Sequence, residues 1–192
     1  IVDELGSNPD FQFMPVGNAG NISSYYKGYK LYKSKNNKLE FPRLIGIQAE
    51  NSAPLVDKKI VTSPQTIASA IRIGNPASSS LALEAITQTK GEFLKVSDKQ
   101  ILEAQSLLAK KEGIFCEPAS AASLAGFLKY AESNKDYKGK KIVFILTGNG
   151  LKDPEVAQKY LSSDIVKTTS KVEDISNAII SGKSKSFFSK FF

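Results

Sequence analysis

Lys141-Ile142-Val143-Phe144-Ile145-Leu146-Thr147-Gly148-Asn149-Gly150 decides the fold: five apolar residues run unbroken behind a lysine and stop at a threonine and a glycine turn. A short apolar run bounded by turn residues is a strand, and strands buried on both faces read as continuous rather than alternating apolar stretches. The expectation is a strand in the middle of a parallel sheet, with ligands collecting outside the carboxyl ends of the strands, where Thr147 stands.

Outward from that strand, the same order repeats along the chain. Phe11 to Val16 is a short apolar run ending in glycine, followed from Asn21 to Tyr32 by Ile22, Tyr25, Tyr26, Tyr29 and Tyr32 at helical spacing. Leu44-Ile45-Gly46-Ile47 is a second buried strand, and Thr66 to Ile73 reads as a helix closed by Gly74-Asn75-Pro76. A helix from Ser79 to Thr89 and a strand from Glu92 to Val96 follow. Ser97 then caps a helix with Gln100 as its reciprocal partner, ending at Gly113. Small residues from Ala119 to Ala125 begin another helix, which runs to about Tyr130. Strands alternating with helices predict an α/β fold, a mostly parallel sheet with flanking helices.

The 192 residues suffice for one domain with a sizeable core. Three parts are expected: an α/β portion over 1–155, a helical segment over 156–180 and a basic, aromatic extension over 181–192. That last stretch, with four phenylalanines and three lysines, reads as a mobile tail, with attachment to a membrane surface as the alternative. Ile1 to Gly6 resembles the last turn of a helix whose start is missing. Neither a signal peptide nor an apolar stretch of bilayer length is evident, and with one cysteine, Cys116, a cytoplasmic chain is expected.

Composition removes several chemistries. There is no histidine, so a Ser/His/Asp triad, a Cys/His pair or a histidine-ligated metal cannot be built from this chain. The net charge of +7 suits anionic metabolites or simple solubility, and no Arg-aromatic interleaving points to nucleic acid.

Two turns remain as candidate sites. Pro15-Val16-Gly17-Asn18-Ala19-Gly20-Asn21-Ile22 sets two glycines and two asparagines between a strand and a helix, where outward amides and the helix dipole suit a phosphate. A ligand-free capping turn would carry the same residues. Thr147, at the end of the strongest strand, offers a neutral hydroxyl suited to an unprotonated pyridine nitrogen; a plain glycine turn is the other reading. The segment Cys116-Glu117-Pro118-Ala119-Ser120-Ala121-Ala122-Ser123 permits close approach of either a backbone or a flat ligand, and Cys116 reads as a buried structural thiol.

Taken together, Pro15 to Asn21, Ala70-Ile71-Arg72-Ile73-Gly74-Asn75-Pro76-Ala77-Ser78, Glu117 to Ala122 and Leu146 to Pro154 closely resemble the threonine synthases, over roughly Ile1 to Ile180. These are pyridoxal phosphate (PLP) enzymes of fold type II, with a tryptophan synthase β-like fold, and the chain corresponds to their C-terminal half. Threonine dehydratase and cysteine synthase share the glycine loop but differ after the last strand.

The resemblance implies that Gly17, Asn18, Ala19, Gly20 and Asn21 bind the PLP phosphate and that Thr147 meets the ring nitrogen. It implies Ala70 and Arg72 as substrate neighbours, no metal, and a homodimer when intact. The implied reaction converts O-phosphohomoserine and water to threonine and phosphate, in amino-acid biosynthesis, with the PLP as electron sink. One departure is large. The family's cofactor-bearing lysine follows Ser-Phe and precedes Asp, whereas Lys135-Asp136 follows Asn134 and Lys152-Asp153 follows Leu151. The expectation is therefore that this chain alone is inactive and that an N-terminal half carries the lysine; a non-catalytic phosphate-binding half, or a dehydratase-like enzyme, is the alternative.

Overall fold

Four parallel strands, β1 (Phe11–Pro15), β2 (Arg43–Ala49), β3 (Glu92–Val96) and β4 (Ile142–Phe144), form one sheet in the order β3-β2-β1-β4. The computed structural model describes residues 1–37, 39–156 and 168–183. The sheet and its helices lie within one unit, Ile1–Asp153, and a second unit spans Pro154–Phe192.

Side-chain alternation along the strands builds two cores. Phe11 and Phe13 of β1 join Ile45, Ile47 and Ala49 of β2 on one face, covered by α5 (Asp98–Glu112) and α6 (Pro118–Ser133). Met14, Val16 and Leu44 point to the other face, beneath α2 (Gly20–Lys35) and α4 (Ser79–Gln88). Three-layer packing of this kind is what a parallel sheet needs, since both of its faces are apolar. The small residues of α6 serve this packing: Ala119, Ala121, Ala122 and Ala125 are buried in the first core. A β-carbon on Gly126 would collide with Ile47, so glycine lets α6 lie close on β2.

Ends are set by local chemistry. α1 (Val2–Leu5) is one turn closed by Gly6 at φ 64°. α5 carries the full capping box, Ser97 with Gln100, and Gly113 ends it at φ 68°. A further single turn, α3 (Pro54–Asp57), follows β2. In the second unit, a helix over Val172–Lys183 opens with Glu173 and Asp174 in its first turn. The expected 156–180 segment is thus described only in part, and of the expected tail residues 184–192 lie outside the described residues.

The amino edge of the sheet is fastened by Arg43, at the start of β2. Its Nη1 donates to Asp136 Oδ2 at 2.7 Å and to the Tyr130 hydroxyl at 3.0 Å, Nε donates to the Lys90 carbonyl, and Nη2 pairs with Glu92. The guanidinium also stands 5.0 Å from the centre of the Phe11 ring.

Two expectations fail. β4 stands at an edge of the sheet, paired with β1 alone among the described residues, and its three residues are only half-buried. An unbroken apolar run reports a need for cover, not which neighbours supply it. Thr66 to Ile73 is not a helix either; only a 3-10 turn forms, over Ser69–Ile71. Side-chain bonds hold the start of the segment in a local turn instead: the Asp98 carboxylate accepts from Ile67 N–H and Thr66 Oγ1, and Thr66 Oγ1 accepts from Ala68 N–H.

Candidate functional site

The loops after β1 and β4 leave the same edge of neighbouring parallel strands, with Phe13 paired to Phe144 and Ile145 N–H donating to the Phe13 carbonyl. From β1 the chain passes to β2 on one side, while β4 lies on the other. The crevice between β1 and β4 is therefore a topological switch point, where such sheets collect ligands. Both sequence-derived turns follow the carboxyl ends of the two strands that border it.

The first turn is built so that its amides stay free. Val16 N–H still bonds Ile47, after which Gly17, Asn18 and Ala19 swing the chain into α2, with Ala19 left-handed at φ 66°. Gly17 is required by a close approach, because a β-carbon there would stand 2.7 Å from the Ala70 carbonyl oxygen and 3.2 Å from Ile71 Cα. The asparagines are staples. Asn18 Oδ1 accepts from Ala77 N–H at 2.8 Å, and Asn21 Nδ2 donates to the Pro15 carbonyl at 2.5 Å while its Oδ1 accepts from Ile22 N–H.

Among the described residues, none of the amides of Gly17, Asn18, Ala19, Gly20 and Asn21 has an acceptor. Gly20 faces open space, with nothing within 4 Å of where a β-carbon would sit. Five unpaired donors at the positive end of a 16-residue helix, around a residue without a side chain, fit an anion such as a phosphoester.

The second turn presents Thr147 at the surface, backed by a polar cluster. Thr147 Oγ1 lies 3.0 Å from Ser120 Oγ and 3.3 Å from Glu117 Oε1. Gly148 N–H donates to Ser120 Oγ at 2.8 Å, and Lys152 Nζ stands 3.3 Å from Glu117 Oε2. Sequence reasoning missed Glu117 and Ser120 as partners of Thr147. The available signal was a lone carboxylate set before Pro118 in an otherwise apolar run. Cys116 is buried, which pushes its thiol above the ordinary value; its backbone bridges Asn149 of the second turn and its carbonyl accepts from Gln105.

Ala70 and Arg72 belong to a strap that bears on both turns. Ala70 covers Gly17, Ser69 Oγ donates to Asp153 Oδ2 at 2.8 Å, and Arg72 is exposed with its Nε donating to the Thr66 carbonyl.

Comparison with known proteins bears on this geometry directly. The model of a family described as pyridoxal-phosphate dependent enzyme matches residues 1–148. The chain belongs to that family. Its curated relatives include threonine synthases from Bacillus sp. (strain ULM1), 49% identical over 179 residues, and from Mycobacterium bovis, 52% identical over 163. A third, from Methanocaldococcus jannaschii, is 48% identical over 166 residues. These matches take in 93%, 85% and 82% of this chain but 51%, 45% and 41% of the relatives, so the chain spans about half the length of the curated relatives it matches.

Two solved structures share the fold. The threonine deaminase of T.th. superposes with a TM-score of 0.59 at 20% identity, over 77% of this chain and 48% of its own. Maize serine racemase gives 0.63 at 19%, over 84% and 50%. The α/β expectation therefore stands as a pyridoxal-phosphate enzyme fold. Among the described residues no helix is long and apolar enough to cross a membrane.

Proposed function

We propose that this chain supplies the rear wall of a threonine synthase site, in which the amides of Gly17–Asn21 hold the phosphate of PLP and Thr147 meets its ring nitrogen. One observation carries the reading. Five unpartnered amides and an exposed hydroxyl follow the carboxyl ends of two neighbouring parallel strands, in a chain about half of whose residues match those of threonine synthases.

Bound there, the PLP would supply an electron sink for carbanions next to its imine carbon. The chain's own contribution is binding and orientation. The bend neutralises the phosphate with backbone dipoles, Thr147 fixes the tilt of the ring, and the strap at Ala70 and Arg72 borders the substrate. The substrate is O-phosphohomoserine, converted with water to threonine and phosphate. The lysine that forms the covalent link, absent as a motif from this sequence, comes from another half of the enzyme, so this chain alone is inactive. A cytoplasmic homodimer of the joined halves completes the reading.

The test is to assemble the chain with its lysine-bearing half, load PLP, reduce with borohydride and map the labelled peptide, then assay phosphate release from O-phosphohomoserine. The expected label lies outside residues 1–192, with turnover only in the joined protein. A specific label on a lysine of this chain, or PLP binding that ignores changes at the bend, would overturn the reading.

A further inference from the structure

One face of α2 is only partly covered. Asn21, Ser24, Tyr25, Gly28 and Tyr32 recur there at helical spacing and line a groove of about 300 Å³. Ile1 and Val2 of α1 line it too, and Asp3 Oδ2 accepts from the Tyr32 hydroxyl at 2.6 Å, which sets α1 at the Tyr32 end. Val2 and Tyr25 are half-buried against the second core, so the groove is continuous with the packed interior.

Gly28 is the informative residue. A glycine inside a helix weakens it, and the usual gain is the close approach of another element. Here, among the described residues, nothing lies within 4 Å of where its β-carbon would sit. Ser24 stands one turn before it, and two small residues on one face let a second helix axis come near.

The direction comes from α1. It closes at Gly6 and leads into the start of β1, as α2 closes at Asn36 and leads into the start of β2. Both helices therefore deliver the chain to the amino edge of the sheet and run the same way. α1 has a single turn, too short to hold as a helix without cover. Continued toward its own N-terminus, it passes Gly28 and Ser24 and reaches Asn21, at the bend.

We propose that this groove seats an amphipathic helix of the lysine-bearing half, continuous with α1, which lies along α2 and brings that half to the rim of the crevice. The choice of occupant rests on the proposed function: the chain spans about half the length of its curated relatives, and the remainder has to meet it. With about 1.5 Å of rise per residue in both helices, reaching Asn21 takes about nine residues ahead of Ile1, and about the sixth of them faces Ser24.

The experiment uses the joined protein, this chain with its lysine-bearing half ahead of Ile1. Ser24→Cys, at an exposed position, is paired with single cysteines along the stretch ahead of Ile1, in a background without other accessible thiols, Cys116 being buried. Mild oxidation without PLP is expected to give disulfides at about the sixth position and one turn to either side, with the positions between unreactive. Gly28→Ala and Gly28→Leu then grade the fit. A seated helix makes both lower the urea midpoint, leucine more than alanine, whereas an open groove accepts both and the midpoint rises as the interior glycine is lost. Disulfides spread evenly along the stretch, a Ser24→Cys link between two copies, or a midpoint raised by both Gly28 changes overturns the docking while leaving the proposed function standing. If the Gly28 variants do not fold, the disulfide pattern decides alone. Failure of the joined wild type to take up PLP, with the disulfide pattern as expected, overturns the proposed function and leaves the helix in its groove.

Discussion

Gly20 offers a way to separate the stability of the fold from binding at the bend. It opens α2, it is not in the left-handed region, and a β-carbon there meets nothing within 4 Å. Alanine therefore fits the backbone. At a compatible helical position the exchange narrows the unfolded ensemble and stabilises by about 0.4–1 kcal/mol. The same methyl is added at one of the five residues whose amides are proposed to hold the phosphate, and would compete with an anion for the open space at Gly20. An anion displaced from even one charge-assisted hydrogen bond loses about 1.5–3 kcal/mol, which at about 1.4 kcal/mol per decade is a weakening of roughly tenfold to a hundredfold. Gly20→Ala should thus raise the urea midpoint and lower PLP affinity in the joined protein, measured by chemical unfolding and by fluorescence titration. An unaltered affinity alongside a raised midpoint would show that no phosphate lies in this bend.

The neighbouring glycine should respond with the opposite sign in stability. Gly17→Ala drives a methyl to 2.7 Å from the Ala70 carbonyl oxygen, and such overpacking costs about 1–3 kcal/mol; an unchanged urea midpoint would mean that the strap yields freely. Asp10 gives a dependence on pH. The Lys141 amide, donating to its Oδ2 at 2.8 Å, holds its carboxyl below the ordinary 3.8, with Lys140 adding to the effect. Because the folded value is the lower one, the stabilisation is present above the ordinary value and is lost as pH falls through the folded value. Asp10→Asn should therefore melt below wild type at neutral pH and converge with it in acid, and a gap that stays constant across a pH series of melts would refute this.

The sequence foretold most of the architecture because local signals agreed with tertiary ones. Glu92 to Val96 and the Ser97–Gln100 box are legible in a few residues each, since alternation and capping act over a few residues. Thr66 to Ile73 was illegible for the opposite reason. Asp98, far along the chain, takes the Thr66 hydroxyl and the Ile67 amide, and nothing within the segment announces that partner. At the candidate site, Gly17 to Asn21 and Thr147 could be named because turn residues are conspicuous. Glu117 and Ser120 could not, because their meaning depends on α6 lying beside the end of β4, with Ser123 Oγ donating to the Ile145 carbonyl as one more tie.

Arg43 bears on how such a protein can change. Its four partners bind the starts of β2 and β3 to the end of α6 and the turn beyond it, at the rim remote from the crevice. Anchorage concentrated there frees the opposite rim from carrying the molecule's cohesion. Exposed positions of the bend, the strap and the Thr147 turn can then exchange residues, and with them the substrate preference proposed for this rim, at less risk to the fold. Damage at Arg43 would surface as lost yield of folded protein, not as altered selectivity.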